Sequence, residues 1–359
     1  MYLDHNATSV LRPSVKAAMV SALEVTGNPS SVHGEGRAAR KLMDDAREVL
    51  AFRLGCLPQM ITFTSGGTEA NNVALRGVGA EKIVISAVEH PSVMAAAKAS
   101  GKDVVVVPVD GHGRIDIAAL EKSIHGANVL VSVMAANNET GVVQPLEDVV
   151  RIAKAKGALV HVDAVQAFGK RPVNFGLLGC DMMTIAAHKA GGPVGVGALI
   201  VRDGLVIEPL VVGGGQEFRR RPGTENVVAI AGFGALATEP QLDTYPLTDQ
   251  LEAALGDMVI FSDGVERLCN TTCFGMPGMK ADTALMNFDL DGIAVSSGSA
   301  CSSGKVGRSH VLEAMGVAPD LAANAIRVSL GWNTTEADVV RFIAVMNKLA
   351  ARHNSRKAA

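Results

Sequence analysis

The feature that most constrains this chain is a rhythm between about residues 60 and 205. Short apolar runs recur there at Met60–Thr64, Lys82–Ser86, Val104–Val109, Val129–Met134, Leu159–Val162, Met182–Ala186 and Gly197–Val201. Short, nearly continuous apolar runs are the pattern of strands buried on both faces. Between several of them lie longer segments, such as Pro145–Lys156, with apolar residues at helical spacing. The alternation predicts an α/β domain with a largely parallel sheet. Such sheets bind ligands just past the carboxyl ends of their strands, so polar residues that directly follow an apolar run are the first candidates for function.

Beyond residue 245 the texture changes. Leu285–Leu290 and Ala325–Leu330 read as strands, and Leu251–Leu255 and Ala337–Arg352 read as helices. These predict a second, smaller α+β unit. The expected division is a large domain over 13–245 and a small domain made of 1–12 with 246–359.

Composition narrows the class. The chain has 359 residues, 48% of them hydrophobic and 19% charged, enough to bury a sizeable core. The formal net charge of −3 is spread without a basic block, so neither nucleic acid nor an anionic membrane is an expected partner. Mean hydropathy is positive. No apolar run, however, approaches the roughly 18 residues of a spanning helix. The opening Met1-Tyr-Leu-Asp-His-Asn6 lacks the layout of a signal peptide, and a cytoplasmic location is expected. Cys56, Cys180, Cys269, Cys273 and Cys301 are then expected to be free thiols. Cys269 and Cys273 have no second ligand pair nearby, so no metal is expected.

Several stretches carry chemistry. In Thr62-Phe-Thr-Ser-Gly-Gly-Thr-Glu-Ala-Asn-Asn72 a strand runs through a Gly-rich turn into a helix. That arrangement suits a phosphate at the helix start, or is an ordinary tight turn. Asp163, in Val160-His-Val-Asp-Ala-Val-Gln166, ends a strand. It either caps the next helix or pairs with a buried cation such as a protonated pyridine nitrogen. Gln166 sits three residues on and can face the same site. Lys189, in Ala186-Ala-His-Lys-Ala-Gly-Gly-Pro193, is either a solvated surface lysine or a desolvated amine suited to Schiff-base chemistry. His188 beside it is a candidate phosphate contact.

His90 closes another strand, as a structural histidine or as a ring that stacks on a planar group and carries protons. Asn137-Asn138 closes a third, as a turn or as amides in the site. In Ser296-Ser-Gly-Ser-Ala-Cys-Ser-Ser-Gly-Lys305, seven of ten residues are Ser or Gly, so Cys301 reads as an exposed reactive thiol on a flexible loop. Arg327 interrupts an apolar strand and needs a partner, either an internal carboxylate or that of a substrate.

Taken together and in this order, the motifs resemble the cysteine desulfurases of the NifS/IscS type, class-V aminotransferase-like enzymes of pyridoxal-phosphate fold type I. The resemblance runs from Tyr2-Leu-Asp-His-Asn-Ala-Thr8, through Gly27-Asn-Pro-Ser-Ser31, to Leu330-Gly-Trp-Asn-Thr-Thr-Glu336. It implies a mostly parallel seven-stranded sheet in the large domain and pyridoxal 5'-phosphate as cofactor. Lys189 would form the Schiff base, Asp163 would pair with the pyridine nitrogen, and His90 would stack on the ring and move protons. Asn138 and Gln166 would bond the ring substituents, and Asn138 would also face the substrate. Gly67, Thr68 and His188 would hold the phosphate. Thr224 would reach the phosphate of a neighbouring subunit in a homodimer. Arg327 would bind the carboxylate of L-cysteine. Cys301 would take the sulfur as a persulfide, release L-alanine, and pass sulfur to an acceptor or iron–sulfur scaffold protein.

Three positions depart from the family pattern. Ala186 stands where a Ser or Thr usually contacts the phosphate, the lysine turn continues as Ala190-Gly-Gly-Pro, and Ala237–Ala253 is several residues short. The competing readings are a selenocysteine lyase or aminotransferase on the same scaffold, and a cofactor-less scaffold or sulfur-carrier protein.

Overall fold

The computed structural model describes residues 1–276, 278–298 and 308–358. All seven apolar runs become strands: β1 (Ile61–Thr64), β2 (Lys82–Ser86), β3 (Asp103–Val107), β4 (Val129–Met134), β5 (Leu159–Asp163), β6 (Met182–Ala186) and β7 (Gly197–Val201). They form one sheet in the order β1-β7-β6-β5-β4-β2-β3. The block from β6 to β3 is parallel. β7 lies antiparallel between β1 and β6. β2, β4, β6 and β7 are buried along their whole length, which is why their sequences are runs rather than alternations.

Helices cover the sheet. Met43 and Leu50 of the helix Gly34–Leu54 share one apolar cluster with Phe233 and Leu236 of the helix Val227–Ala237 and with Ile61, Val131 and Val162 of the sheet. Leu75 and Ala96 pack with Ile83 and Leu199 in a second cluster.

A smaller antiparallel sheet follows: β8 (Val259–Ile260), β9 (Thr271–Gly275), β10 (Ser296–Ser297) and β11 (Ala325–Ser329), ordered β10-β11-β9-β8. The chain's first residues join it. Ser329 N donates to Leu3 O at 2.8 Å, and Leu3 packs with Leu251, Phe274, Phe288 and Phe342. Asp4 is thereby brought beside β11, where it meets the candidate site.

One expectation fails here. Leu285–Leu290 is not a strand but the second half of the helix Ala281–Leu290. The buried positions are Ala281, Ala284 and Phe288, spaced as one helical face, while Leu290 stays exposed. The short Ala237–Ala253 region runs from the end of the helix Val227–Ala237, through a link that contains Pro240, into the helix Tyr245–Ala253. Among the described residues, no helix is long and apolar enough to cross a membrane.

Candidate functional site

Beyond the carboxyl ends of the parallel strands lies a cavity of about 270 Å³. Gly67, Thr68, His90, Asn138, Asp163, Gln166, His188, Lys189 and Arg327 all line it. These nine residues come from six stretches of sequence, and the fold collects them because each follows or lies on a strand. Thr224 is exposed and lies outside this lining. Cys301 lies outside the described residues.

Asp163 ends β5 and is 5% exposed. Its Oδ1 accepts from Val165 N at 3.0 Å and its Oδ2 from Asn71 Nδ2 at 2.7 Å. Among the described residues, no lysine or arginine pairs with it. A buried carboxylate held only by neutral donors favours a cation placed in the cavity.

Asn71 continues the contact. The same Nδ2 donates to Ser92 Oγ at 2.9 Å, and Ser92 Oγ lies 2.7 Å from His90 Nδ1. Ser92 N also donates to His90 Nδ1, at 3.1 Å. Two groups that approach Nδ1 as donors require its lone pair there, so a neutral His90 carries its proton on Nε2. Burial pushes the His90 imidazole below its ordinary pKa, against the opposite pull of Asp163. The ring is therefore held neutral, with its tautomer set by a chain that begins at Asp163.

The turn into the helix Gly67–Gly77 is built for close approach. A Cβ on Gly67 would lie 2.7 Å from Val165 Cγ2, so only glycine fits against the strand-end turn. Gly67 and Thr68 open this helix and line the cavity with His188, and the free N–H groups of a helix start favour an anion. His188 Nδ1 lies 3.2 Å from Thr8 Oγ1. Burial, with Lys189 and Lys170 nearby, pushes its imidazole down to about 4. Ala186 lies beneath this turn, fully buried, and offers no hydroxyl.

Lys189 follows β6 and donates from Nζ to the main-chain carbonyls of Asn6 and Ala7, at 2.8 and 2.7 Å. Arg327 takes the first of its two candidate partners, an internal carboxylate. It is 1% exposed; Nη2 binds Asp4 Oδ1 at 2.7 Å and Nη1 donates to Asn138 O at 2.9 Å. Its Nε has no partner among the described residues. A guanidinium fixed on one edge, lining the cavity and with a donor unspent, is suited to an incoming carboxylate.

Four contributors were not singled out by sequence: Asn6, Asn71, Glu89 and Lys170. Spacing held a signal for two of them. Asn71 lies four residues beyond Gly67, and Lys170 four beyond Gln166, which puts each pair on one side of a turn. Glu89 is fully buried; its Oε1 accepts from Ser86 Oγ at 2.6 Å and from Met134 N at 2.9 Å. Burial pushes its carboxyl up to about 8, and the Asp163 charge adds to the effect.

Residues 1–342 match the aminotransferase class-V family. The chain belongs to that family, whose fold brings a lysine, a strand-end carboxylate and an anion cradle to one cavity. Within it, the chain is a member of the cysteine desulfurases. The cysteine desulfurase of Trichormus azollae is 42% identical over 373 residues, covering 98% of this chain and 93% of that protein. The cysteine desulfurase IscS of Dictyoglomus turgidum is 39% identical, covering 97% of this chain and 94% of that one. Among solved structures, the NifS-like protein from Rickettsia africae ESF-5 matches with a TM-score of 0.90 at 39% identity, over 97% of this chain and 98% of that chain. SspA in complex with cysteine matches with a TM-score of 0.81 at 29% identity, over 92% and 98% respectively.

Proposed function

We propose that this enzyme takes sulfur from L-cysteine, with pyridoxal phosphate carried on Lys189 and Cys301 as the first sulfur acceptor. The observation that carries the reading is Asp163: a buried carboxylate without a counter-cation among the described residues, in the same cavity as a lysine amine and an anion-binding helix start. The cavity's donor set fits pyridoxal phosphate at each end. Gly67, Thr68 and His188 suit its phosphate, Lys189 its aldehyde, Asp163 its ring nitrogen, and Asn138 and Gln166 its ring oxygen. When bound, the cofactor supplies an electron sink next to the substrate's α-carbon.

The chain's own residues do the rest. Arg327 holds the substrate carboxylate through the donor that Asp4 and Asn138 leave unspent. Asn71 and Ser92 fix the His90 ring, so that its Nε2 carries a proton at neutral pH. Lys189 Nζ is the amine placed to take up and return a proton at the α-carbon. Cys301 forms a bond to the substrate sulfur as the bond from that sulfur to the β-carbon breaks. The products balance: L-cysteine and the Cys301 thiol become L-alanine and a Cys301 persulfide, which an acceptor thiol then discharges.

Two features support a homodimer. Thr224 is exposed and outside its own cavity, which leaves its hydroxyl available to a neighbour's phosphate. Val211, Val212 and Phe218, close to it in sequence, are exposed apolar residues of the kind a second copy would cover. An acceptor or iron–sulfur scaffold protein is the expected downstream partner, and the cytoplasm the expected compartment.

The test supplies L-cysteine and a reductant and measures alanine and sulfide, with Lys189→Ala and Cys301→Ala beside the native enzyme. Both variants are expected to be inactive, with Cys301→Ala still yellow. Undiminished alanine and sulfide from Cys301→Ala would replace the desulfurase reading with a lyase of the selenocysteine-lyase kind, and a keto acid in place of alanine would replace it with an aminotransferase. A protein that stays colourless with added pyridoxal phosphate would replace it with a scaffold.

A further inference from the structure

Lys170 is a lysine in an unusual place. It is 5% exposed, and among the described residues it makes no ion pair with a carboxylate. Its Nζ lies 2.8 Å from Asn6 Oδ1 and 2.7 Å from Gln166 Oε1. Both amides are oriented independently of it. Gln166 Nε2 donates to the main-chain carbonyl of Asn6 at 3.0 Å, which can only accept, so Gln166 must turn its Oε1 to Lys170. Asn6 Nδ2 donates to Asn138 O at 3.3 Å and Thr271 Oγ1 at 2.8 Å, so its Oδ1 must face Lys170 too.

Lys170 is thus a double donor that locks two amides. One hydrogen of Gln166 Nε2 is committed to Asn6 O. The other remains for the cavity that Gln166 lines. The Asn6 residue also separates two lysines: its side chain accepts from Lys170, while its main-chain carbonyl accepts from Lys189 Nζ at 2.8 Å.

We propose that Lys170 is a positioning residue that sets the proton affinity of the Lys189 nitrogen. It does so as a buried like-charged neighbour across Asn6, and by holding Gln166 as a donor toward the cofactor's ring oxygen. Both effects favour the unprotonated Lys189 nitrogen: one opposes its positive charge, the other stabilises the negative oxygen beside it. The other charged or titratable groups around Lys170 are Arg327, Cys269, His5 and His188. Among the described residues none of these is a carboxylate; the Asp163 carboxylate lines the cavity with Lys189 and pulls the other way, but it is the same in the native protein and the variants. Burial, then Lys189, holds Lys170 well below its ordinary pKa, so the charge it sets against Lys189 is fullest at the acid end of the titration.

The inference rests on cofactor attachment at Lys189, and its test separates the two. Holoenzyme is titrated with pH while the visible absorbance of the lysine-bound cofactor is followed, for the native protein and Lys170→Met. The midpoint is expected to rise by about one pH unit in the variant. Colour in both proteins with midpoints that coincide overturns the role of Lys170. Absence of colour in the native protein instead overturns the attachment itself. Should Lys170→Met not fold, Lys170→Gln keeps a donor toward Gln166 without the charge and must also shift the midpoint upward; an unmoved midpoint there overturns the proposal equally.

Discussion

Asp163 and Glu217 are equally buried, each 5% exposed, yet the molecule treats them in opposite ways. Glu217 is closed. Arg47 grips it with two nitrogens, at 3.1 and 2.7 Å, and Phe63 N donates to it at 2.7 Å. The Arg47 guanidinium is itself stacked 4.6 Å from the Phe63 ring centre and 5.1 Å from that of Phe218. This clamp holds a backbone that resists its shape. Glu217, Phe218 and Arg219 have φ of 43°, 58° and 65°, three consecutive left-handed residues without a glycine. Asp163 is open: two neutral donors, no cation among the described residues, and a cavity in front. A buried carboxylate whose needs are all met inside the chain serves structure. One left with a charge to balance marks where something else belongs.

That contrast breaks first under substitution. Asp163→Ala is expected to lower L-cysteine turnover by ~100-fold or more. Its cost in unfolding free energy should be no more than about 2 kcal/mol, because only two neutral hydrogen bonds are lost. Arg47→Met is expected to cost about 3–5 kcal/mol, because it strands Glu217 as a buried charge. Denaturant titration and alanine release, measured on both variants, check the pair. Equal stability losses would erase the distinction.

Glu89 sharpens it through pH. Its folded pKa of about 8 lies above the ordinary 4.5, so its contribution to stability is full below about 4.5 and is lost as pH rises through about 8. The native protein is expected to lose stability across that window, and Glu89→Gln to flatten the loss. Asp163→Asn should move the Glu89 midpoint down, since it removes a neighbouring negative charge. Unfolding curves taken at intervals from pH 5 to pH 8 read both effects, and a slope unchanged in Glu89→Gln would contradict them.

The smallest expected effect is at Ala186. Ala186→Ser restores a hydroxyl beneath the Gly67 turn and should tighten pyridoxal-phosphate retention by ~10-fold, as one hydrogen bond to a charged group allows. Cofactor dissociation followed by absorbance measures it. A hydroxyl that changes nothing would place the phosphate away from Ala186.

The large sheet was legible because strands buried on both faces must be apolar throughout, and β2, β4 and β6 read that way directly. The residues that follow such runs stood out for the same reason, and nine of them do meet in one cavity. The small sheet was harder. β8 and β10 are two residues each, too short for any periodicity, and Ala281–Leu290 buries only Ala281, Ala284 and Phe288, a helical face that the apolar residues of Leu285–Leu290 obscure. Asn71 and Lys170 stayed hidden because an amide or an amine acquires its role only from what the fold sets opposite it. Asn6 is the clearest case: its side chain and carbonyl serve Lys170 and Lys189, which lie more than 160 residues away in sequence.

The most direct measurement is a single turnover without reductant. Holoenzyme is mixed with one equivalent of L-cysteine, and the peptide bearing Cys301 is weighed by mass spectrometry while free alanine is counted. One sulfur atom gained on Cys301 for each alanine released is the predicted result. Alanine released while the Cys301 peptide keeps its original mass would contradict it.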